Sequence, residues 1–323
     1  METRESKPFS IYNANEIGLN FQNLKKNIEL GLTKENILIW STMESDLPGG
    51  NSLYDFKDFN ELCNKYDVVV NIVFGLSEET YYIEMLNLTN IKVHFWPTYL
   101  LYYTYKKFDG YYDGIDITRL KKNTDFKELF VCYNNKPHSH RCRLIDKLYK
   151  NNLFNDGIIS WNEMNNINYE FTSWEEKIMR VDEHKKDYYN RTNHIVENTS
   201  FLFLVTESTD KTHFITEKTF KPILIEQPFI CFGGRKQNIA LREMGFQLYD
   251  EIFDYEFDYS DNIDERIDGI IYNLNKIKNS NYFDLYEKIK DKIKFNKERA
   301  INIVENKLCI PEIVTENKIP FES

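Results

Sequence analysis

Charged and hydroxyl side chains gather after one strongly apolar segment of the sequence. Residues 200–206 read Ser-Phe-Leu-Phe-Leu-Val-Thr, Glu207 follows directly, and Thr216-Glu217-Lys218 opens the next apolar stretch. This order predicts a buried strand, a polar loop and a helix that begins near Thr216. The first turn of a helix offers backbone N–H groups and partial positive charge to a phosphate. Because Lys218 adds a full charge and Glu217 can accept hydrogen bonds from ribose hydroxyls, the segment indicates a nucleotide site; an ordinary charged first turn on a surface helix is the alternative.

Two further segments place polar residues directly after an apolar strand. Residues 40–46 include Glu44, and residues 132–143 include Asn134 and Arg141. Ligands of open α/β sheets bind at the carboxyl ends of the strands, so all three segments are candidate parts of one site. The chain contains no GxGxxG fingerprint and no Walker A sequence, and the interpretations as a dehydrogenase or a P-loop kinase lose their main support.

The elements that must position these segments alternate between apolar strand patterns and helical patterns. The predicted strands are 36–40, 67–73, 91–96, 128–133, 157–161, 200–206, one within 228–234 and a short one at 246–249. The predicted helices include 56–66, 79–88, 139–153, 171–189 and 237–244. Such alternation predicts α/β architecture with parallel sheets covered on both faces. Because it weakens between about 105 and 125, we expect two domains, 1–122 and 123–323, the second closed by amphipathic helices at 262–278 and 282–306.

Length, composition and charge narrow the classes of protein. The chain has 323 residues, of which 41% are hydrophobic, which is enough to bury a sizeable core. Its formal net charge is −10, and a general nucleic-acid-binding surface would instead show a basic excess. A local basic cleft remains compatible with this overall charge.

The cysteines and the N-terminal residues indicate a compartment. The five cysteines show neither close pairing nor CxxC spacing, which predicts reduced thiols and a cytosolic setting. The sequence begins Met-Glu-Thr-Arg-Glu-Ser-Lys-Pro, without the apolar core of a signal peptide, and no run of about 18 apolar residues follows. We therefore expect a cytoplasmic protein without a membrane anchor.

The third polar segment resembles the α1,3-fucosyltransferases. Glu207-Ser208 and Ile215-Thr-Glu-Lys218 are similar to that family's Phe-Glu-Asn-Ser and Ile-Thr-Glu-Lys motifs. Glu217 follows Glu207 by ten residues, which is the family's spacing. Phe220-Lys221 stands where the family has an aromatic residue and Arg, so the resemblance extends into the first turns of the predicted helix.

The other two segments are similar to the same family and occur in the family's order. Trp40 and Glu44-Ser45 stand where the family has a Trp followed by Glu-Ser-Pro, although Asp46 replaces the Pro. The strand that ends in Asn134, with Arg141 a few residues on, is similar to the start of the family's donor-binding half. Two further departures are the missing Arg-Arg-Asp-Ser-Asp stretch after the family's second strand and Glu226-Gln227 in place of an Ala-Gly pair. Together with Asp46 they leave the donor sugar and the acceptor open.

The resemblance implies an inverting glycosyltransferase of the GT-B fold, in which two tandem Rossmann-like domains face a central cleft. It implies a nucleotide-diphosphate sugar as the donor: GDP-fucose by resemblance, with a UDP-sugar as the alternative. The expected acceptor is a hydroxyl group, on a glycan. Enzymes of this kind need no cofactor and no metal, so we expect none here.

The donor site implied by the resemblance lies in the second half of the chain. Its expected members are Asn134, Arg141, Glu207, Thr216, Glu217, Lys218 and Lys221. A departing diphosphate must be stabilised by cations and a helix dipole, for which Arg141 and Lys218 are the candidates. Glu217 would bind ribose hydroxyls, and Glu207 would orient the sugar or the loop. The alternatives are a solvated helix charge for Arg141 and a strand-end carboxylate for Glu207.

An inverting transfer also needs a general base that takes the proton from the acceptor hydroxyl. Glu44, from the first half of the chain, is the expected base, and Asp46 is the second candidate. A loop carboxylate without a catalytic role is the alternative for Glu44.

Two other clusters contain residue types that can bind metal ions. His138 and His140 are two residues apart, which is not the spacing of a helical ligand pair, and no cysteine or carboxylate partner is evident. A role in a phosphate-binding loop is the alternative for them. Asp254 and Asp258 belong to an acidic-aromatic run, 250–261, that fits a solvated loop better than a metal-binding motif. We expect no metal site.

Two further functions stay open at the level of sequence. The first is transfer of a sugar from a UDP-sugar to hydroxylated bases in DNA, as in some bacteriophage enzymes; the negative net charge weighs against this acceptor. The second is a non-catalytic module that binds nucleotide sugars or glycans. Loss of turnover on replacing Glu44, with donor binding retained, would separate an enzyme from such a module.

Overall fold

The computed structural model divides into two compact units, Met1–Tyr99 with Cys309–Ser323, and Leu100–Leu308. The residues that it describes are 9–13, 21–40, 53–74, 86–98, 101–102, 104–105, 124–134, 138–161, 199–211, 214–308 and 311–313. The domain boundary expected between 122 and 123 lies outside these ranges and stays a prediction.

The first unit contains a parallel sheet with its strands in chain order. Its elements are β1 (Phe9–Asn13), α1 (Gln22–Glu29), β2 (Asn36–Trp40), α2 (Leu53–Lys65), β3 (Val69–Phe74) and β4 (Ile91–Phe95), and the sheet order is β1-β2-β3-β4. Ile37, Leu38 and Ile39 of β2 are fully buried. Since neighbouring strand residues point to opposite faces, this sheet is covered on both sides. Phe21, just before α1, stacks on Phe59 of α2 with ring centroids 4.4 Å apart.

The second unit contains a parallel sheet whose strand order departs from the chain order. Its elements are β5 (Glu128–Asn134), α3 (Ser139–Lys150), β6 (Gly157–Trp161), β7 (Ser200–Thr206), α4 (Glu217–Leu224), β8 (Phe229–Phe232), α5 (Gln237–Glu243), α6 (Ile263–Ile277) and α7 (Tyr282–Glu305), with 3-10 turns at Phe154–Asp156 and Glu256–Tyr259. The order of the strands is β6-β5-β7-β8, and all pairs are parallel. Every residue of β7 and β8 is buried, so both strands lie wholly within the core.

Side-chain caps fix where three helices of the second unit begin. Asn262 accepts the N–H of Asp264 at the start of α6, at 2.9 Å, and Asn281 accepts the N–H of Phe283 at the start of α7, at 3.0 Å. Thr216 caps α4 in the same manner. Short polar side chains at this position satisfy N–H groups that the helix itself leaves unpaired.

The expectation of a mixed α/β fold with parallel sheets is confirmed, and the two long helices at the end of the second unit lie where the amphipathic patterns predicted them. The predicted helix at 171–189 and residues 79–85 of another lie outside the described residues. Strand β1 and helix α1 were not predicted. No helix within the described ranges is long and apolar enough to cross a membrane.

The strand predicted at 246–249 is wrong. Phe246, Leu248 and Tyr249 are buried and Gln247 is partly exposed, and none of the four residues pairs with a strand that the structure describes. Their backbone is satisfied by side chains instead: the amide of Asn296 accepts the N–H of Gln247 at 2.7 Å and donates to its carbonyl at 2.8 Å, and the hydroxyl of Tyr255 accepts the N–H of Tyr249 at 3.3 Å. An apolar run therefore indicated burial here and not a strand.

Candidate functional site

The strand order of the second unit creates a switch point between β5 and β7. From β5 the chain moves to β6 on one side, and then returns past β5 to β7 and β8 on the other. In open α/β sheets, ligands bind beyond the carboxyl ends of the strands at such a point. Asn134 ends β5 and Thr206 ends β7, and the Thr206 hydroxyl donates to the Asn134 Oδ1 at 2.7 Å. Asn134 is 1% exposed, so its side chain joins the two strands.

Glu207 follows β7 and its carboxylate is fully buried. Oε1 accepts the N–H of Thr216 at 3.0 Å and the hydroxyl of Thr219 at 2.6 Å, and Oε2 accepts the hydroxyl of Thr216 at 2.7 Å. Burial raises the pKa of the Glu207 carboxyl, while the nearby ammonium of Lys218 and the two threonine hydroxyls oppose the rise. The carboxylate thus ties the end of β7 to the start of α4.

The first turn of α4 carries the partly exposed charges of the site. The Thr216 hydroxyl oxygen accepts the N–H of Lys218 at 3.2 Å and its ammonium at 3.3 Å. The Lys218 ammonium also contacts the Glu217 carboxylate at 2.9 Å and the Ser208 hydroxyl at 3.4 Å. The side chains of Lys218 and Glu217 are 24% and 30% exposed, so a ligand can reach both. The predicted helix start at Thr216 is confirmed.

Two side chains of α3 hold the carbonyl groups at the end of β7. The guanidinium of Arg141 donates from Nη2 to the Thr206 carbonyl at 2.9 Å and from Nε to the Glu207 carbonyl at 3.2 Å. His140 Nε2 lies 2.9 Å from the same Glu207 carbonyl, and because a carbonyl only accepts, this nitrogen carries the proton. Arg141 is 3% exposed. Its expected contact with a phosphate stays a prediction.

Lys221 lies one turn further along α4, against aromatic rings. Its ammonium is 5.2 Å from the ring centroid of Tyr133 and 5.9 Å from that of Phe203. Both distances fit cation–π attraction, which fixes the ammonium against the strand pair β5–β7. A role of Lys221 in donor binding stays a prediction.

The remaining candidates divide between described and undescribed residues. Glu44 and Asp46 lie outside the described residues, so the assignment of a general base stays a prediction. The rings of His138 and His140 stack with centroids 5.7 Å apart. Among the described residues, no group of three or more His, Cys, Asp or Glu side chains could hold a metal ion.

Asp258 departs from the interpretation of 250–261 as a solvated loop. It is 1% exposed, and its Oδ2 accepts the N–H groups of Asn238 and Ile239 at 2.8 and 3.0 Å. The carboxylate therefore caps the start of α5 from inside the unit. The physical reason is that a helix end buried in the core needs an acceptor for its unpaired N–H groups.

Sequence reasoning missed two contacts of the network at the end of β7. Thr219 binds the Glu207 carboxylate, and His140 binds the Glu207 carbonyl. Thr219 could have been found, because it lies three residues after Thr216 and residues at that spacing share one face of a helix. His140 gave no such signal, since its partner is a backbone group distant in sequence.

Comparisons with known proteins give one likeness of low score. No protein-family model and no curated protein sequence matches the chain. A solved structure entitled "Crystal Structure of alpha1,3-Fucosyltransferase" is similar at 12% sequence identity, with 95% of this chain and 93% of that chain covered and a TM-score of 0.32. A likeness at this score carries no argument about fold or activity, so the functional conclusion rests on the residues of the site.

Proposed function

We propose that the protein is a glycosyltransferase that moves a sugar from a nucleotide-diphosphate donor to an acceptor hydroxyl. The observation that carries the proposal is the partly exposed pair of Glu217 and Lys218 at the first turn of α4. The pair lies at the carboxyl end of β7, beside the switch point of the sheet, where α/β proteins bind their ligands. The donor diphosphate would meet this turn.

The chemistry of the pair suits a nucleotide diphosphate. Sugar transfer leaves a negative diphosphate, which the Lys218 ammonium and the N–H groups of the first helical turn would stabilise as its charge develops. The Glu217 carboxylate, 2.9 Å from that ammonium, would accept hydrogen bonds from the ribose hydroxyls. The Lys218 ammonium thus suits the phosphate of a nucleotide, and the adjacent Glu217 carboxylate suits its ribose.

The finer parts of the proposal follow from the sequence motifs. GDP-fucose is the proposed donor, with a UDP-sugar as the alternative, and a glycan hydroxyl is the proposed acceptor. The reaction would invert the anomeric centre in a GT-B arrangement. Glu44 would remove the acceptor proton, with Asp46 as the second candidate.

Nucleotide-dependent thermal shifts test the donor site. GDP, UDP, CMP and their sugar conjugates are added with and without EDTA, since a ligand that binds only the folded state raises the melting temperature. We expect a shift that is selective for GDP, insensitive to EDTA and lost in Lys218→Ala. Lys288→Ala, which removes an exposed lysine of α7, is the matched control and should keep the shift. A shift selective for UDP would make a UDP-sugar the donor in place of GDP-fucose. The absence of a shift with every nucleotide would overturn the proposal.

Turnover separates an enzyme from a binding module. Release of GDP from GDP-fucose is measured with glycan acceptors, and release of UDP from a UDP-sugar is measured separately with DNA that contains hydroxymethylated bases. Glu44→Ala is expected to keep the thermal shift with GDP and to lose turnover. A wild-type chain that binds GDP-fucose and turns over with neither acceptor would favour the non-catalytic module.

A further inference from the structure

We propose that Glu207 is a positioning residue whose buried carboxylate orients the Thr216 hydroxyl and thereby fixes the ammonium of Lys218. The inference rests on the proposed function, because it concerns the cation that the donor diphosphate would meet. It differs from the expectation that Glu207 orients the sugar by direct contact.

The burial of Glu207 places it behind the site. The residue is fully buried, so a ligand at the surface has no access to its carboxylate. Both carboxylate oxygens are already bound: Oε1 accepts from the Thr216 N–H and the Thr219 hydroxyl, and Oε2 accepts from the Thr216 hydroxyl. Any effect of Glu207 on a bound donor must therefore pass through these partners.

The hydrogen-bond partners of the Thr216 hydroxyl allow only one orientation of its proton. Its oxygen lies near two groups of Lys218, the backbone N–H at 3.2 Å and the ammonium at 3.3 Å, and both are donors only. A hydroxyl has one proton and two acceptor lone pairs, so both lone pairs face Lys218. The proton must then go to Glu207 Oε2, which lies 2.7 Å away and has to act as an acceptor.

An amide in place of the carboxylate would reverse this contact. The single oxygen of Glu207→Gln would stay with the two donors that meet Oε1, the Thr216 N–H and the Thr219 hydroxyl. Its NH₂ group would then face the Thr216 oxygen as a third donor. The hydroxyl proton would lose its acceptor and point toward Lys218, whose ammonium would be displaced. The glutamine amide has nearly the shape of the carboxylate, but its NH₂ group donates where Oε2 accepts. Glu207→Gln therefore tests the direction of the hydrogen bond to Thr216 specifically.

Binding of GDP and guanosine by calorimetry tests the inference. The proteins compared are the wild type, Glu207→Gln, Lys218→Ala and the double variant. If UDP binds the wild type more tightly than GDP does, UDP and uridine replace GDP and guanosine. We expect Glu207→Gln to weaken GDP binding roughly tenfold or more, the range for hydrogen bonds to charged groups. Guanosine affinity should stay unchanged, and the double variant should bind GDP no more weakly than Lys218→Ala.

Asp258→Asn is the matched control. Asp258 is also a buried carboxylate that accepts N–H groups at a helix start, but that helix is α5. The control should lose stability and keep its affinity for GDP. If Glu207→Gln does not fold, Thr216→Val and Thr216→Ser replace it, because only serine keeps the hydroxyl. Valine should then weaken GDP binding as Lys218→Ala does, and serine should bind nearly as the wild type.

Three results would overturn the inference: unchanged GDP binding in Glu207→Gln, an equal loss of guanosine binding, or independent effects of the Glu207 and Lys218 substitutions. Failure of the proposed function is distinguishable, since the wild type itself would then bind neither GDP nor UDP. In that event a crystal structure of Glu207→Gln, or of Thr216→Val, decides the positioning role. An ammonium of Lys218 that keeps its wild-type position in the variant would refute it.

Discussion

The imidazole of His140 is held in a surrounding that resists its protonation. Burial lowers its pKa from 6.5 to about 4. The Glu207 carbonyl and the Asp210 carboxylate, 3.7 Å from Nδ1, favour the cation, while Arg141 and His138 oppose it. The lowered pKa links the stability of the second unit to pH.

His140 should therefore make the protein sensitive to acid. Above pH 6.5 the imidazole is neutral in both the folded and the unfolded chain, so its contribution to stability is fully present. As the pH falls from 6.5 to 4, only the unfolded chain takes up the proton, and the free energy of unfolding drops by roughly 3 kcal/mol. Urea unfolding at intervals over this range should show a shallower loss in His140→Gln, whose amide can still donate to Glu207. The prediction would be contradicted if the free energy of unfolding fell equally with pH in the wild type and in His140→Gln.

The residues of the site show what a sequence can locate and what it cannot. The motif after β7 predicted the start of α4 and its charged first turn, because strand and helix patterns mark the carboxyl ends of strands. It did not predict that Asn134 and Glu207 are buried. Their burial depends on Thr206 and Thr219, whose hydroxyls meet them only after the sheet has formed.

Helix α6 passes very close to another part of the second unit at Gly269. A Cβ placed on Gly269 would overlap the side chain of Phe257, from the 3-10 turn before the helix. The Asn273 amide braces the same region by donating to the carbonyls of Asp254 and Gly269 at 2.7 and 3.0 Å. The glycine thus sets how closely the turn packs on the helix.

Gly269→Ala should destabilise the protein although alanine is the better helix former. Alanine gains up to about 1 kcal/mol in helix propensity, but displacing Phe257 costs about 1–3 kcal/mol, so the net change is a loss. Asn275→Ala is the control, because Asn275 is an exposed residue of the same helix and should gain a few tenths of a kcal/mol. Thermal melting measures both. A higher melting temperature for Gly269→Ala would contradict the close packing.

The residue pair Glu226 and Lys297 joins the chain just after α4 to α7 through a partly buried ion pair. The Lys297 ammonium lies 2.7 Å from the Glu226 carboxylate, and the two side chains are 6% and 19% exposed. Glu226 also has a left-handed backbone with φ of 57°, which favours glycine. One residue therefore combines a strained backbone with a charge that needs its partner.

Lys297→Met should cost about 2 kcal/mol of stability, because it leaves the half-buried Glu226 carboxylate without the cation that it contacts. Adding Glu226→Gly should recover most of this loss, since it removes the stranded charge and relieves the left-handed backbone. Chemical denaturation of the single and double variants measures the effect. A double variant less stable than Lys297→Met alone would show that the carboxylate is held by other groups.

At the scale of the whole molecule, each unit has its own parallel sheet and its own buried core. Ile72 of β3 is fully buried in the first unit, and Leu274 of α6 is fully buried in the second. The order of the strands in each sheet could not be predicted from the sequence. Apolar runs predict strands and their direction in α/β alternation, but the order β6-β5-β7-β8 depends on which side each crossover takes. The switch point that marks the candidate site therefore emerged only from the fold.

We expect the two units to unfold in separate transitions, of which GDP raises only one. Ile72→Ala and Leu274→Ala each remove a fully buried side chain and should cost about 3 kcal/mol in their own unit. In scanning calorimetry each substitution should lower a different transition, which assigns the two peaks. GDP should raise the peak that Leu274→Ala lowers, because Glu217 and Lys218 belong to the second unit. A single transition that both substitutions lower equally would mean that the two cores unfold together. A GDP shift confined to the transition that Ile72→Ala lowers would mean that the nucleotide binds outside the second unit.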